Sequence, residues 1–137
     1  MKKLESLLLA CLLVYAGQGL AQSEAEMKAW MEYMAPGAFH KEMAKWDGEW
    51  NEEMTMWMTP GSNPQKHKAT CVNKMILGGR FQSSTHTGSI NGMPFEGIST
   101  TGFDNAKKLI VSTWIDNLGT GIMVMEGAWD EKNKALH

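Results

Sequence analysis

From Glu49 onward the sequence repeats with a period of two, and that period fixes the class of fold. Trp50, Met54, Met56 and Met58 share one side of an extended segment, while Glu53, Thr55 and Trp57 share the other. Successive side chains of a strand point to opposite faces, so this alternation reads as a strand buried on one side. It resumes after each of a series of turn signals. Gly78-Gly79 and Asn91-Gly92 are two-residue hairpin signals, since these residues tolerate the positive φ that tight hairpins require. Asp104-Asn105 and Asn117-Leu118-Gly119 mark further turns. The expected strands after the first are Lys68–Leu77, Arg80–Thr87, Phe95–Phe103, Leu109–Asp116 and Gly121–Trp129, with a seventh beginning near Ala135. Thr59 to Lys66, with Pro60-Gly61 and Asn63-Pro64, reads as a loop. Strands joined in order by short turns form an antiparallel meander.

Upstream the period is helical. Ser23 and Glu26 have the spacing of a capping box, and Met27, Trp30, Met31 and Met34 follow at i, i+3, i+4, i+7. Pro36-Gly37 stops that helix. A second is expected from Ala38 to Trp46, with Phe39, Met43 and Trp46 on one face, ending at Asp47-Gly48. Before these lies a secretory pattern: Lys2 and Lys3, an apolar run from Leu7 to Ala16, then Gly19 and Ala21 at the −3 and −1 positions of a cut before Gln22. The apolar run is shorter than the ~20 residues a spanning helix needs. A lipid-attachment box at Leu8-Leu9-Ala10-Cys11 fits poorly, because the apolar run continues past the cysteine. The expected organisation is a signal peptide over 1–21, a helical segment over 22–47 and a β-barrel domain over 48–137, exported to the periplasm or beyond.

The remaining length suits one domain. The net charge of −2 provides no basic field for nucleic acid. Cys71 is the cysteine left after signal removal, so no internal disulfide is expected, and its place in an alternating run reads as a small buried hydrophobe.

Phe103-Asp104-Asn105-Ala106-Lys107 is echoed by Trp129-Asp130-Glu131-Lys132-Asn133, each an aromatic, a turn-starting Asp and polar residues. Two copies read as a repeated turn solution rather than a solenoid. A closed barrel of this kind takes about eight strands. The pattern stops at His137 before that number, so further C-terminal strands are expected.

Pro36-Gly37-Ala38-Phe39-His40, Gly48-Glu49-Trp50, Met75-Ile76-Leu77-Gly78-Gly79-Arg80-Phe81 and Pro94-Phe95-Glu96-Gly97 resemble, in order, a family of secreted bacterial domains of unknown function, number fifteen-seventy-nine. Thr101-Gly102-Phe103-Asp104-Asn105 and the run from Ser112 to Thr120 extend the resemblance over most of 36–130. It implies a lipocalin-like barrel and no established activity. Gly48-Glu49-Trp50 after a short helix is also similar to the start of lipocalin-like barrels, where the Trp plugs one end.

The chemistry-bearing residues are scattered. The chain has 12 methionines. Met54, Met56 and Met58 share a face, as do Met123 and Met125; thioethers can fill a barrel, line an apolar pocket or hold Cu(I). His40, His67, His86 and His137 show no ligand spacing, so no zinc or iron site is indicated. His40 and His67 read as surface residues. His86 either reaches a barrel mouth or faces solvent. Trp114, Asp116, Asn117 and Thr120 cluster at one strand end, either holding a ligand's polar end or forming an Asx-type turn. Arg80 could meet a ligand carboxylate or pair with Glu96. No nucleophile elbow or phosphate loop is present.

The fold expectation is mainly β: an antiparallel meander, a lipocalin-like barrel incomplete as given, preceded by two short helices. The expected function is binding of a small apolar ligand by Trp50, Met54, Met56, Arg80, His86, Glu96, Trp114, Asp116 and Thr120, with no catalytic residue, metal or cofactor. The alternatives are an interaction module, an enzyme or a methionine-based copper carrier. No stable membrane anchor is expected, and the oligomeric state is open.

Overall fold

A computed structural model describes residues 23–130, 132–133 and 135–137. The expected signal peptide and Cys11 lie outside the described residues. The chain divides at Ala35/Pro36 into two compact units. The first contributes helix α1, residues 23–34, on which Met27, Trp30 and Met31 are exposed and Trp30 packs against Tyr33 with ring centroids 5.9 Å apart. No described helix is long and apolar enough to cross a membrane.

In the second unit, α2 spans Ala38–Met43 and tightens into a 3₁₀ turn over Ala44–Trp46. Six strands follow: β1 Gly48–Met56, β2 Gln65–Ile76, β3 Phe81–Ile90, β4 Met93–Asp104, β5 Leu109–Asp116 and β6 Met123–Gly127. They form one antiparallel sheet in sequence order, the expected meander. The sheet is open between β1 and β6. Two short strands, β7 Trp129–Asp130 and β8 Ala135–Leu136, pair with each other.

Strand bounds moved where turn chemistry was tighter than its sequence signal. Asn91 and Gly92 both take positive φ, 54° and 81°, so the β3–β4 turn needs only these two residues and the strands run further towards it than expected. β1 stops at Met56, which pairs with Gln65, and this places Met58 in the exposed loop. The Asp echo is structural. Asp104 Oδ1 accepts the amides of Ala106 and Lys107 at 2.8 and 3.1 Å, and Asp130 Oδ1 accepts those of Lys132 and Asn133 at 2.9 and 3.0 Å. These bonds hold both carboxyls below their usual range.

Residues directly opposite in adjacent strands share a face. The register therefore carries one face across the whole sheet: Trp50, Glu52 and Met54 on β1, His67 to Met75 by twos on β2, Gln82 to Ile90 by twos on β3, and their partners on β4 to β6. Helix α2 covers one end of this inner face. Met43, fully buried, and Phe39 pack with Ile110, against Met75, Phe103 and Trp129. Phe39 sits 5.4 Å from Phe103 and 5.1 Å from Trp129, centroid to centroid.

A helix leaves its last carbonyls without intrahelical partners. Here sheet side chains supply them. Gln82, buried, donates to Met43 O at 2.8 Å and to Asp47 Oδ1 at 3.0 Å. Asn73 Nδ2 and Trp50 Nε1 both donate to Trp46 O, at 3.0 and 2.9 Å. Trp50 thus braces the helix end while its ring remains half exposed. His40 was expected at the surface but is buried. Its Nδ1 accepts the Gly37 amide at 2.9 Å and its ring meets Phe103 edge-on. Burial, and then the nearby positive Arg80, hold its pKa below the ordinary value.

Candidate functional site

Beyond α2 the inner face carries a polar cluster framed by large apolar side chains. Cys71 and His86 are directly opposite across β2 and β3, and Cys71 also opposes Trp50 on β1. Glu52, two residues along β1, falls on the same face. Glu52 Oε2 lies 2.9 Å from His86 Nδ1, and His86 Nε2 lies 3.7 Å from Cys71 Sγ. The thiol is buried and lies 3.1 Å from Asn73 Oδ1. Burial, and then the Glu52 carboxylate, push its pKa up.

The indole of Trp114 closes one side of the cluster, 4.9 Å from the His86 ring. It reaches across β4 because Gly97 stands opposite His86 there. A Cβ on Gly97 would fall 2.5 Å from Trp114 Cη2 and Cζ2. Phe95 stacks with the indole at 6.2 Å between centroids, and Asp116 Oδ2 accepts the indole N–H at 2.7 Å. Asp116 Oδ1 also accepts the Leu118 amide at 2.9 Å, so the Asx-type turn forms and the same carboxylate anchors the ring. These bonds, the indole N–H first, keep its pKa below the usual range. Asn117 stitches the turn to β4, donating to Pro94 O and accepting the Glu96 amide.

The structure thus places Trp50, Met54, Met56, His86, Trp114 and Asp116 on the inner face. His86 is shielded rather than solvent-facing, with 14% of its side chain exposed. The other expected ligand residues lie elsewhere. Glu96 opposes Thr87 on the outer face, because odd and even positions point oppositely. Arg80 sits in the β2–β3 turn, where its guanidinium donates to Leu77 O at 3.2 Å, at the other end of the β3–β4 pair from Glu96. Thr120 is exposed in the β5–β6 loop. Met54 and Met56 lie on one edge strand and Met123 and Met125 on the other, so the two methionine pairs belong to opposite edges of the sheet.

Glu52 and Cys71 were missed as members of a site, because neither has a partner at short sequence spacing. Half-buried His67 is also on this face, opposite Met54, and its Nε2 is buried without a hydrogen-bond partner among the described residues. Neither of two depressions is lined by Glu52, Cys71 or His86. One of about 270 Å³ opens beside Thr85, Ile98 and Ile115, and Glu96 and Asp116 both line it. The other, about 440 Å³, lies at the start of α2 among Phe39, Glu42, Phe103 and Lys108.

No curated protein and no solved structure matches this chain. The family model described as "Protein of unknown function (DUF1579)" matches residues 35–137, which is the whole of the second unit and the residue before it. The chain belongs to the DUF1579 family.

Proposed function

We propose that this protein is an exported binder of a small, largely apolar molecule, which it holds on the inner face of the sheet with the molecule's polar end at Glu52 and His86. The observation that carries the reading is the composition of that face. Trp50, Met54, Phe95, Trp114, Met123 and Met125 supply apolar and polarizable surface around one polar cluster. Binding sites are commonly built in this way, with an apolar lining for affinity and a few placed polar groups for orientation. Trp50, Met123 and Met125 are 49%, 56% and 45% exposed, so this surface is open to a ligand. Methionine suits the role because its unbranched thioether adapts to ligand shape.

Native mass spectrometry of the protein, purified from the periplasm of an expressing cell, tests the reading. The expected result is an added organic mass that solvent extraction removes and that Trp114→Ala diminishes. A bare chain mass, together with no change in tryptophan emission on adding anilinonaphthalene sulfonate, would overturn it.

A further inference from the structure

We propose that Cys71, His86 and Glu52 form a binding site for one divalent transition-metal ion of the zinc class. The proposal goes beyond the organic-ligand reading and does not rest on it. One donor atom from each residue, a sulfur, an imidazole nitrogen and a carboxylate oxygen, lies within 4.8 Å of the other two. Tetrahedral zinc, with bonds of ~2.3 Å to sulfur and ~2.0 Å to nitrogen, sets sulfur and nitrogen about 3.5 Å apart. Cys71 Sγ and His86 Nε2 are 3.7 Å apart.

That edge is built by the backbone. Cys71 and His86 are direct cross-strand partners, so no loop must order to bring them together. Trp114 packs against the His86 ring and limits its rotation. Glu52 reaches in from β1, and binding exchanges its hydrogen bond to His86 for a bond to the ion. The Cys71 thiol gives its proton to solvent as the sulfur–metal bond forms, and no electron is transferred.

The charge balance favours a cation. Among the described residues, the ion-pair partner of Glu52 is His86, and no lysine or arginine pairs with it. The thiol, imidazole and carboxylate also follow the order of a nucleophile, its base and its orienting group. A nucleophilic cysteine, however, needs positive surroundings to stabilise its thiolate, and the charge beside Cys71 is the negative Glu52. A metal ion resolves the same arrangement by neutralising both acidic donors. Sulfur and imidazole donors select a borderline-soft ion over magnesium or calcium. Three protein ligands leave a fourth position for water or an incoming ligand, as in open rather than structural zinc sites.

Titrating cobalt(II) alone into the chain, with Cys11→Ser so that one thiol remains, tests the proposal. The expected result is one ion per chain, with a near-ultraviolet thiolate-to-cobalt band and the visible bands of a four-coordinate ion. Cys71→Ser should abolish the near-ultraviolet band, and His86→Gln and Glu52→Gln should each weaken binding at least about tenfold, while His137→Gln leaves it unchanged. Zinc should also protect Cys71 from iodoacetamide in the otherwise unaltered chain, a readout that does not depend on the variants folding. Absence of the band at saturating cobalt, or no protection by zinc, would overturn the site. Because no organic ligand is present, the outcome is separate from that of the native mass measurement.

Discussion

Replacing Gly97 by alanine tests whether the indole of Trp114 is held across the sheet as described. The backbone does not require glycine here, since Gly97 is not among the residues with positive φ. The added Cβ, however, would lie 2.5 Å from two ring carbons of Trp114. Ordinary carbon contacts are ~3.5–4.0 Å, so the ring must retreat by about 1 Å. Retreat strains the 2.7 Å bond to Asp116 and the packing on His86 and Phe95. Overpacking of this kind costs about 1–3 kcal/mol, offset by the ~0.5–1 kcal/mol that alanine gains over glycine in a strand. The net expectation is a loss of about 0.5–2 kcal/mol, and ~1 kcal/mol lowers Tm by ~4–8 °C in a domain of this size. The assay is urea unfolding followed by far-ultraviolet circular dichroism, which stays comparable when a tryptophan is removed. In a Trp114→Ala background the clash disappears, and Gly97→Ala should become neutral or stabilising. The cycle then gives a coupling of about 1–3 kcal/mol. Equal destabilisation in both backgrounds would refute the reasoning, because the backbone rather than the ring would be rejecting the methyl group.

Phe39→Ala should cost about 3–5 kcal/mol by urea unfolding, since it removes the ring that packs on both Phe103 and Trp129. His40 has a folded pKa below its unfolded value, so its contribution to stability is full above pH ~6.5 and is lost as pH falls towards the folded value; His40→Gln should flatten that part of a pH–Tm curve. Asp104 has a depressed folded pKa, so its contribution is present above pH ~4 and is lost as pH falls further; Asp104→Asn should flatten the acid limb, and an unchanged limb would count against the turn bonds. In metal-free chain, Cys71 should react slowly with iodoacetamide at neutral pH and faster in alkali, and Glu52→Gln should raise the neutral rate. A rate unmoved by that change would show that Glu52 does not act on the thiol.

Much of the cluster was legible once the hairpins were known. A turn centred on Gly78-Gly79 makes Cys71 and His86 cross-strand partners, and one centred on Asn91-Gly92 puts Gly97 opposite His86. Counting outward from those turns would have joined Cys71 to His86, which spacing along the chain does not. Glu52 was harder. Its register depends on the β1–β2 loop, whose length does not fix where pairing resumes.

The sequence by itself determined the meander and its turns, because alternation and turn chemistry act over a few residues. Leu109–Asp116 fell where expected, and the two aspartate turns repeat the same backbone bonds. The tertiary structure alone decided that His40, on α2, is buried, that Glu96 faces away from Trp114, and that Glu52 joins the Cys71–His86 pair. Each of these depends on the register between strands and on the seating of α2 against the sheet. Those are set by packing between segments distant in the chain, and no local pattern of residues encodes them.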